Sequence, residues 1–328
     1  MLFSLYINDL VNNFDSTCDL VYVIDRKVSC LMYADDLVLL SQSYEGIQSL
    51  LERFKSFCDT WNLKVNVDKT KIMISNKSRK ILKRFSFRYE NQNIEITNEY
   101  KYLGIIFKPS GTFSYATSHL SKKASKAIFC IRKSLFSDRI NLVSHSKLFE
   151  ACVKPILLYC SEIWCLPLFV NENSSIESKY DSFIPKTIQI KYAKYILGVD
   201  KSATNLAVMS ELGLFPLAIS TFRAALGFWL HIINMDDSFL VKNAFSDNYI
   251  LKDSFCGKIK LLLDRLGFAH VWDNQGSFSK ARFLHAVEEK LKQNFIEYWK
   301  LKICDDDNKV NGNKLRIYRK LKLNIFYI

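Results

Sequence analysis

No two of the nine cysteines stand at C-x-x-C spacing, and their number is odd. That argues against a disulfide framework and for a reducing, cytoplasmic or nuclear setting with free, buried thiols. Cys160 and Cys165 lie closest together, but no histidine is near them in sequence, which argues against zinc. The five histidines (119, 145, 231, 270 and 285) form no metal-ligand spacing with one another or with the cysteines. The apolar start MLFSLYI has no basic lead-in and reaches Asn8 and Asp9 within a few residues, so it does not read as a secretory signal. Long apolar runs are also lacking. The best candidate, VKPILLYCSEIWCLPLFV at 153–170, is broken by Pro155, Glu162 and Pro167 and reads as a buried helix, not a membrane span. There is no internal repeat and no low-complexity linker.

The charge shortage is of one sign. Against 46 Lys plus Arg stand 33 Asp plus Glu, a net charge of +13. Such a balance points to a polyanionic partner, nucleic acid first, with a scattered basic surface as the alternative. Apolar residues make up 49% and aromatics 14% of 328 residues, enough for a sizeable core in two or more packed units and too much for general disorder.

Along the chain, LFSLYINDLVNNF places Leu2, Leu5, Tyr6, Leu10 and Phe14 at helical spacing, with no cap before them. Residues 20–24 (LVYVI) and 28–33 (VSCLMY) read as strands around a turn at Asp25-Arg26-Lys27. A third strand at 37–41 leaves Ala34-Asp35-Asp36 at the tip of a tight hairpin. Ile47, Leu50, Leu51, Phe54, Phe57 and Trp61 follow at steps of 3, 1, 3, 3 and 4, which predicts an amphipathic helix. Further strands are predicted at 71–75 (KIMIS), on either side of a polar turn at Glu90-Asn91-Gln92-Asn93, and at 100–107 (YKYLGIIF), stopped by Pro109 and Gly111. Beyond, Leu120, Ala124, Ala127, Ile128, Ile131 and Leu135 share one helical face, and Lys122, Lys123, Lys126, Arg132 and Lys133 fall largely on others. Helices are also predicted at 141–160, 176–196, 216–234 and 280–302.

Asp35 and Asp36 interrupt the apolar run VSCLMYADDLVLL. Two like charges in such surroundings are costly unless a cation neutralises them. Three readings are open. The pair is a solvated turn, since Asp favours turns. Or it begins a calcium loop, which needs alternating oxygen ligands that LVLLS does not supply. Or it is half of a two-metal site, where carboxylates bridge magnesium ions that clamp a phosphoryl group. The apolar flanks argue for the third, because they would hold the pair rigidly in a low dielectric. The acidic run Asp305-Asp306-Asp307, by contrast, reads as a solvated loop.

Tyr33-Ala34-Asp35-Asp36, set in LMYADDLVLL, resembles the catalytic hairpin of reverse transcriptases. Four further segments match in order. LFSLYINDL resembles the helix after the nucleotide-contacting loop in the enzymes of non-LTR (LINE-like) retrotransposons. WNLKVNVDKTKIM (61–73) resembles their next motif, with Asn66, Lys69 and Thr70 at the matching positions. YKYLGIIF resembles the hairpin strand that grips the primer end, and YILGVDKSATNLAVMSELGLFPL (195–217) a helical region beyond the thumb.

The resemblance implies an α+β fold: a partial palm, with an antiparallel sheet and packed helices, at 1–109. A helical thumb-like domain at 110–200 and a helical region of unknown role at 201–328 would follow. It implies an RNA-directed DNA polymerase acting on an RNA template and a DNA primer, with deoxynucleotides as substrates and no membrane. Asp35 would be a magnesium ligand and Asp36 its support, Tyr33 would lie against primer or template, and Lys69 near the triphosphate. A solvated lysine is the plain alternative for Lys69. Leu103 and Gly104 would approach the primer closely, where a buried strand with a glycine bulge is the alternative. Lys122, Lys123, Lys126, Arg132 and Lys133 would follow the phosphates of the duplex.

The family places its first metal-binding aspartate, a Gln-Gly loop and the fingers before the helix with which this sequence starts. The expectation is therefore a truncated enzyme, incomplete alone, with only part of a two-magnesium site. A nucleic-acid-binding remnant without chemistry is the alternative, and a helical interaction protein with incidental charge a weaker third.

Overall fold

A computed structural model describes residues 2–14, 19–75, 85–134, 141–170, 175–180, 183–249, 251–275 and 278–304, with Leu315 and Tyr318. It divides into two units, one of Met1–Thr112 with Asp237–Asp247, the other of Phe113–Asp236 with Asn248–Ile328.

In the first unit, α1 (Leu2–Tyr6) passes into a 3-10 segment (Asn8–Asn13) instead of continuing as one helix. Leu10 and Phe14 are buried, but Leu5 and Tyr6 stay exposed, so only part of the predicted stripe faces the core. Two hairpins follow: β1 (Val21–Val23) with β2 (Arg26–Val28), and β3 (Cys30–Tyr33) with β4 (Asp36–Leu39). The predicted strand at 28–33 is thus divided at Ser29. Its turn falls at Ile24-Asp25 because Val23 pairs with Arg26, leaving two connecting residues, the loop length that matches strand twist.

Helix α2 (Tyr44–Thr60) starts where Ser43 accepts a hydrogen bond from the Gly46 N–H at 3.0 Å, satisfying one orphan donor of the first turn. It separates two apolar clusters. Leu50 and Phe57 pack with Leu10, Phe14 and Leu20. Leu51 packs with Phe87, Tyr89 and Ile94. Each such Leu or Phe, fully buried, contributes about 1.5–3 kcal/mol. Trp61 ends the predicted stripe but is 38% exposed, edge-on to Tyr6. The second sheet runs β5 (Lys71–Ile72), β7 (Gln92–Ile96), β6 (Phe87–Tyr89), with β5 parallel to β7. The predicted strand at 71–75 therefore stops at Ile72. The predicted strand at 100–107 is a hairpin, β8 (Tyr100–Tyr102) and β9 (Ile105–Phe107), with Leu103 and Gly104 at φ +46° and +87° forming its turn.

The second unit begins with α3 (Ser114–Ser134). The predicted helix at 141–160 is broken into α4 (Leu142–Leu148), a π segment (Phe149–Val153) and α5 (Lys154–Leu157). Pro155 has no N–H to donate to the preceding turn, which accounts for the widened segment before it. Cys160, at φ +53°, then turns the chain into α6 (Ser161–Phe169). The predicted helix at 176–196 is likewise two, α7 (Ile176–Lys179) and α8 (Ile184–Ile196), the latter with Pro185 in its first turn. There follow α9 (Asn205–Glu211), α10 (Leu217–Ile233), α11 (Leu240–Asp247), α12 (Phe255–Arg265), α13 (Ala269–Asp273) and α14 (Lys280–Cys304). Helix α11 belongs to the first unit, where it packs on β1 and the Arg26 guanidinium donates to the Ser238 carbonyl.

Helix α10 packs against α6 and α14, and α3 against α5 and α8. Trp164, Phe222, Trp229, Phe295 and Trp299 are fully buried. The apolar stretch at 153–170 thus supplies core residues, and no helix of the described residues is long and apolar enough to cross a membrane. Leu135 and Asp305-Asp306-Asp307 lie outside the described residues.

Candidate functional site

Strands β3 and β4 pair Leu31 with Val38 and Met32 with Leu37, apolar against apolar, and the last pair is Tyr33 with Asp36. Only Ala34 and Asp35 are left to turn the chain, so Asp36 is the first residue of β4 and not part of the tip. Ala34 sits at φ +52°. This left-handed conformation costs a residue with a Cβ about 1–2 kcal/mol. The strain falls where the two carboxylates are presented.

The surroundings differ from the apolar clamp predicted. Leu31 is 39%, Met32 36% and Tyr33 63% exposed, and Ala34, Asp35 and Asp36 are exposed as well. The hairpin is paired only with itself among the described residues; Cys30, Leu37 and Leu39 at its base pack on the core, but the end that carries the two carboxylates is exposed. Tyr102, at the end of β8, comes close to Asp36. Its partial burial and, after that, the Asp36 charge push its phenol above the ordinary 10.0. The β8–β9 turn beside it carries Leu103, 38% exposed, and Gly104. Both residues are at a turn with positive φ, so the buried-strand alternative is corrected. Sequence reasoning did not single out Tyr102. Its two-residue step from Tyr100 in YKYLG was the available signal.

Lys69 is held by a local device. The Asn66 side chain accepts from the Lys69 N–H at 3.1 Å, and the Asn66 carbonyl accepts from the Thr70 N–H at 3.1 Å and the Thr70 hydroxyl at 2.9 Å. All three positions matched in the sequence motif are thus joined in one turn, with the Lys69 side chain exposed. Lys69 makes no ion pair with Asp35 or Asp36 among the described residues.

In the second unit, Lys122, Lys123, Lys126, Arg132 and Lys133 are all on the exposed side of α3. They are not equivalent. The Arg132 guanidinium lies over the Tyr195 ring of α8, 4.2 Å from its centroid, a cation–π contact that fixes it against the helical core.

Two carboxylates suit a hard divalent cation, but a closed site needs more oxygen donors than two. Among the described residues no group of three His, Cys, Asp or Glu could hold a metal ion. The donors among the described residues therefore do not make up a complete metal centre.

Residues 1–107 match the family model of reverse transcriptase (RNA-dependent DNA polymerase). The match spans the YADD hairpin, the Asn66 turn and the β8–β9 hairpin. That third of the chain is similar to reverse transcriptases, and the relatives that match it are of the LINE-like kind. The chain is 24% identical over 151 residues to a transposon-derived protein of Caenorhabditis elegans, covering 46% of this chain and 54% of that protein. It is also 24% identical over 171 residues to the RNA-directed DNA polymerase from mobile element jockey of Drosophila funebris, covering 50% of this chain and 18% of that protein. The chain thus spans about half the length of the one and about a fifth of the other. Its fold is mixed α+β, as a partial reverse transcriptase domain would have. As a family, reverse transcriptases use a divalent metal and act on a nucleic-acid template and primer.

Proposed function

We propose that this chain is a LINE-like reverse transcriptase, that it holds an RNA template with its DNA primer, and that it contributes two carboxylates to a polymerase site completed from outside the described residues. The observation that carries the reading is Asp35 in a strained two-residue turn with Asp36 directly after it, and Tyr102 within reach of the Asp36 charge. Asp35 and Asp36 are the donors offered to magnesium, Tyr33 the ring offered to primer or template, and Leu103 with Gly104 the close backbone approach to the primer end. Lys69, presented by the Asn66 turn, is the cation available to a triphosphate. Lys122, Lys123, Lys126 and Lys133 neutralise phosphates. In this reading Asp35 and Asp36 are two of the site's acidic donors, and a third is supplied from outside the described residues. The reading carries with it a cytoplasmic or nuclear setting. A non-catalytic nucleic-acid-binding role is the second reading, and the same missing donor favours it.

Filter binding of a primed RNA template across a salt series tests the shared part of both. Binding is expected to weaken with salt. Each of Lys122→Ala, Lys126→Ala and Lys133→Ala is expected to lower the slope of log K against log salt by about 0.7–0.9. Salt-independent binding, or none, would sink the proposal.

A further inference from the structure

Helix α3 contains no Asp or Glu in its 21 residues, SYATSHLSKKASKAIFCIRKS. At 3.6 residues per turn, Tyr115, Lys122, Lys126, Phe129 and Lys133 fall within about 60° of one another around its axis. The buried residues Thr117, Leu120 and Ala124 lie on the other side. Every member of the stripe is exposed, Phe129 at 65% and Tyr115 at 41%. Lys123 lies beside the stripe, and Arg132 is turned off it toward Tyr195.

A phenyl ring two-thirds exposed between lysines has a cost in water and no role in neutralising phosphates. A base-paired duplex hides its base faces within the stack, so phosphate tracking alone gives such a ring nothing to contact. An unpaired base offers a free π-face, and rings alternating with cations are the pattern that grips single strands. We infer that the Lys122–Lys126–Phe129–Lys133 stripe of α3 is a binding site for unpaired nucleic acid, such as the template strand beyond the primed duplex. Phe129 stacks on a base, and the three lysines take the flanking phosphates. Tyr115, at the far end of the stripe, extends the same surface.

This inference rests on the nucleic-acid reading above, and its test separates the two. The full chain is titrated with a fluorescent blunt RNA–DNA duplex and with the same duplex carrying a single-stranded template overhang. Phe129 is exposed, so Phe129→Ala is expected to fold normally. It is expected to weaken binding of the overhang substrate by between about 5- and 150-fold. Blunt-duplex affinity and its salt slope should be unchanged, and Phe129→Trp should restore the overhang preference. Equal affinity of the wild-type chain for both substrates, or an equal effect of Phe129→Ala on both, overturns the inference while the nucleic-acid reading stands. Such a result would assign the exposed ring to a protein surface instead. Failure of the wild-type chain to bind either substrate overturns both.

Discussion

Cys165 is wholly buried in the helical unit, its thiol 3.5 Å from the Thr221 carbonyl oxygen. Burial pushes the thiol from an ordinary 9.0 up to about 12. The unfolded chain therefore gives up this proton first. Below pH 9 the contribution to stability is complete, and from about 9 to about 12 the native state binds more protons, so stability falls as pH rises. The buried thiol of Cys256, pushed up to about 11, acts in the same direction. The urea midpoint is expected to decline between pH 9 and 11, and less steeply in Cys165→Ala. Identical slopes would show that Cys165 plays no part. In the strand-rich unit the informative residue is Gly104, at φ +87° in the β8–β9 turn that follows Tyr102. Gly104→Ala is expected to cost about 1–2 kcal/mol, read as a lowered denaturation midpoint.

Turns and caps decide where the elements stop, and they mark the boundary between what the sequence discloses and what it does not. The apolar steps of α2 were legible because 3.6-residue spacing is a local property, and Ser43 supplies its cap. The single strand read at 100–107 was wrong. Its periodicity says nothing of the left-handed conformation that Leu103 and Gly104 adopt together. The long helices read at 141–160 and 176–196 failed at Pro155 and before Pro185, where a missing N–H interrupts a pattern whose apolar spacing continues. Ser43→Ala is expected to cost about 1 kcal/mol, because the Gly46 N–H loses its acceptor. At the end of α9, Gly213 sits at φ +60° while the Leu214 N–H bonds the Met209 carbonyl at 2.8 Å. A Cβ there would meet nothing within 4 Å, so the cost of Gly213→Ala is conformational alone. It is expected to be about 1–2 kcal/mol in urea unfolding.

For the whole molecule, the motif order pointed to the resemblance, and YADD, the Asn66–Lys69–Thr70 turn and the YKYLG hairpin all lie within the matched residues. The environment of the carboxylates was not legible. An apolar run suggests burial only if something covers it, and Leu31, Met32 and Tyr33 have no such cover among the described residues. Nor could the sequence separate Arg132 from the lysines around it, because its partner Tyr195 is 63 positions away in the chain. The central claim is that Asp35 and Asp36 are polymerase carboxylates that lack a third donor here. Magnesium-dependent primer extension on a primed RNA template, with the chain and its Asp35→Asn variant, tests it most directly. No extension by either protein, on a template that both bind, is the expected result. Extension by the chain that Asp35→Asn abolishes would contradict the account.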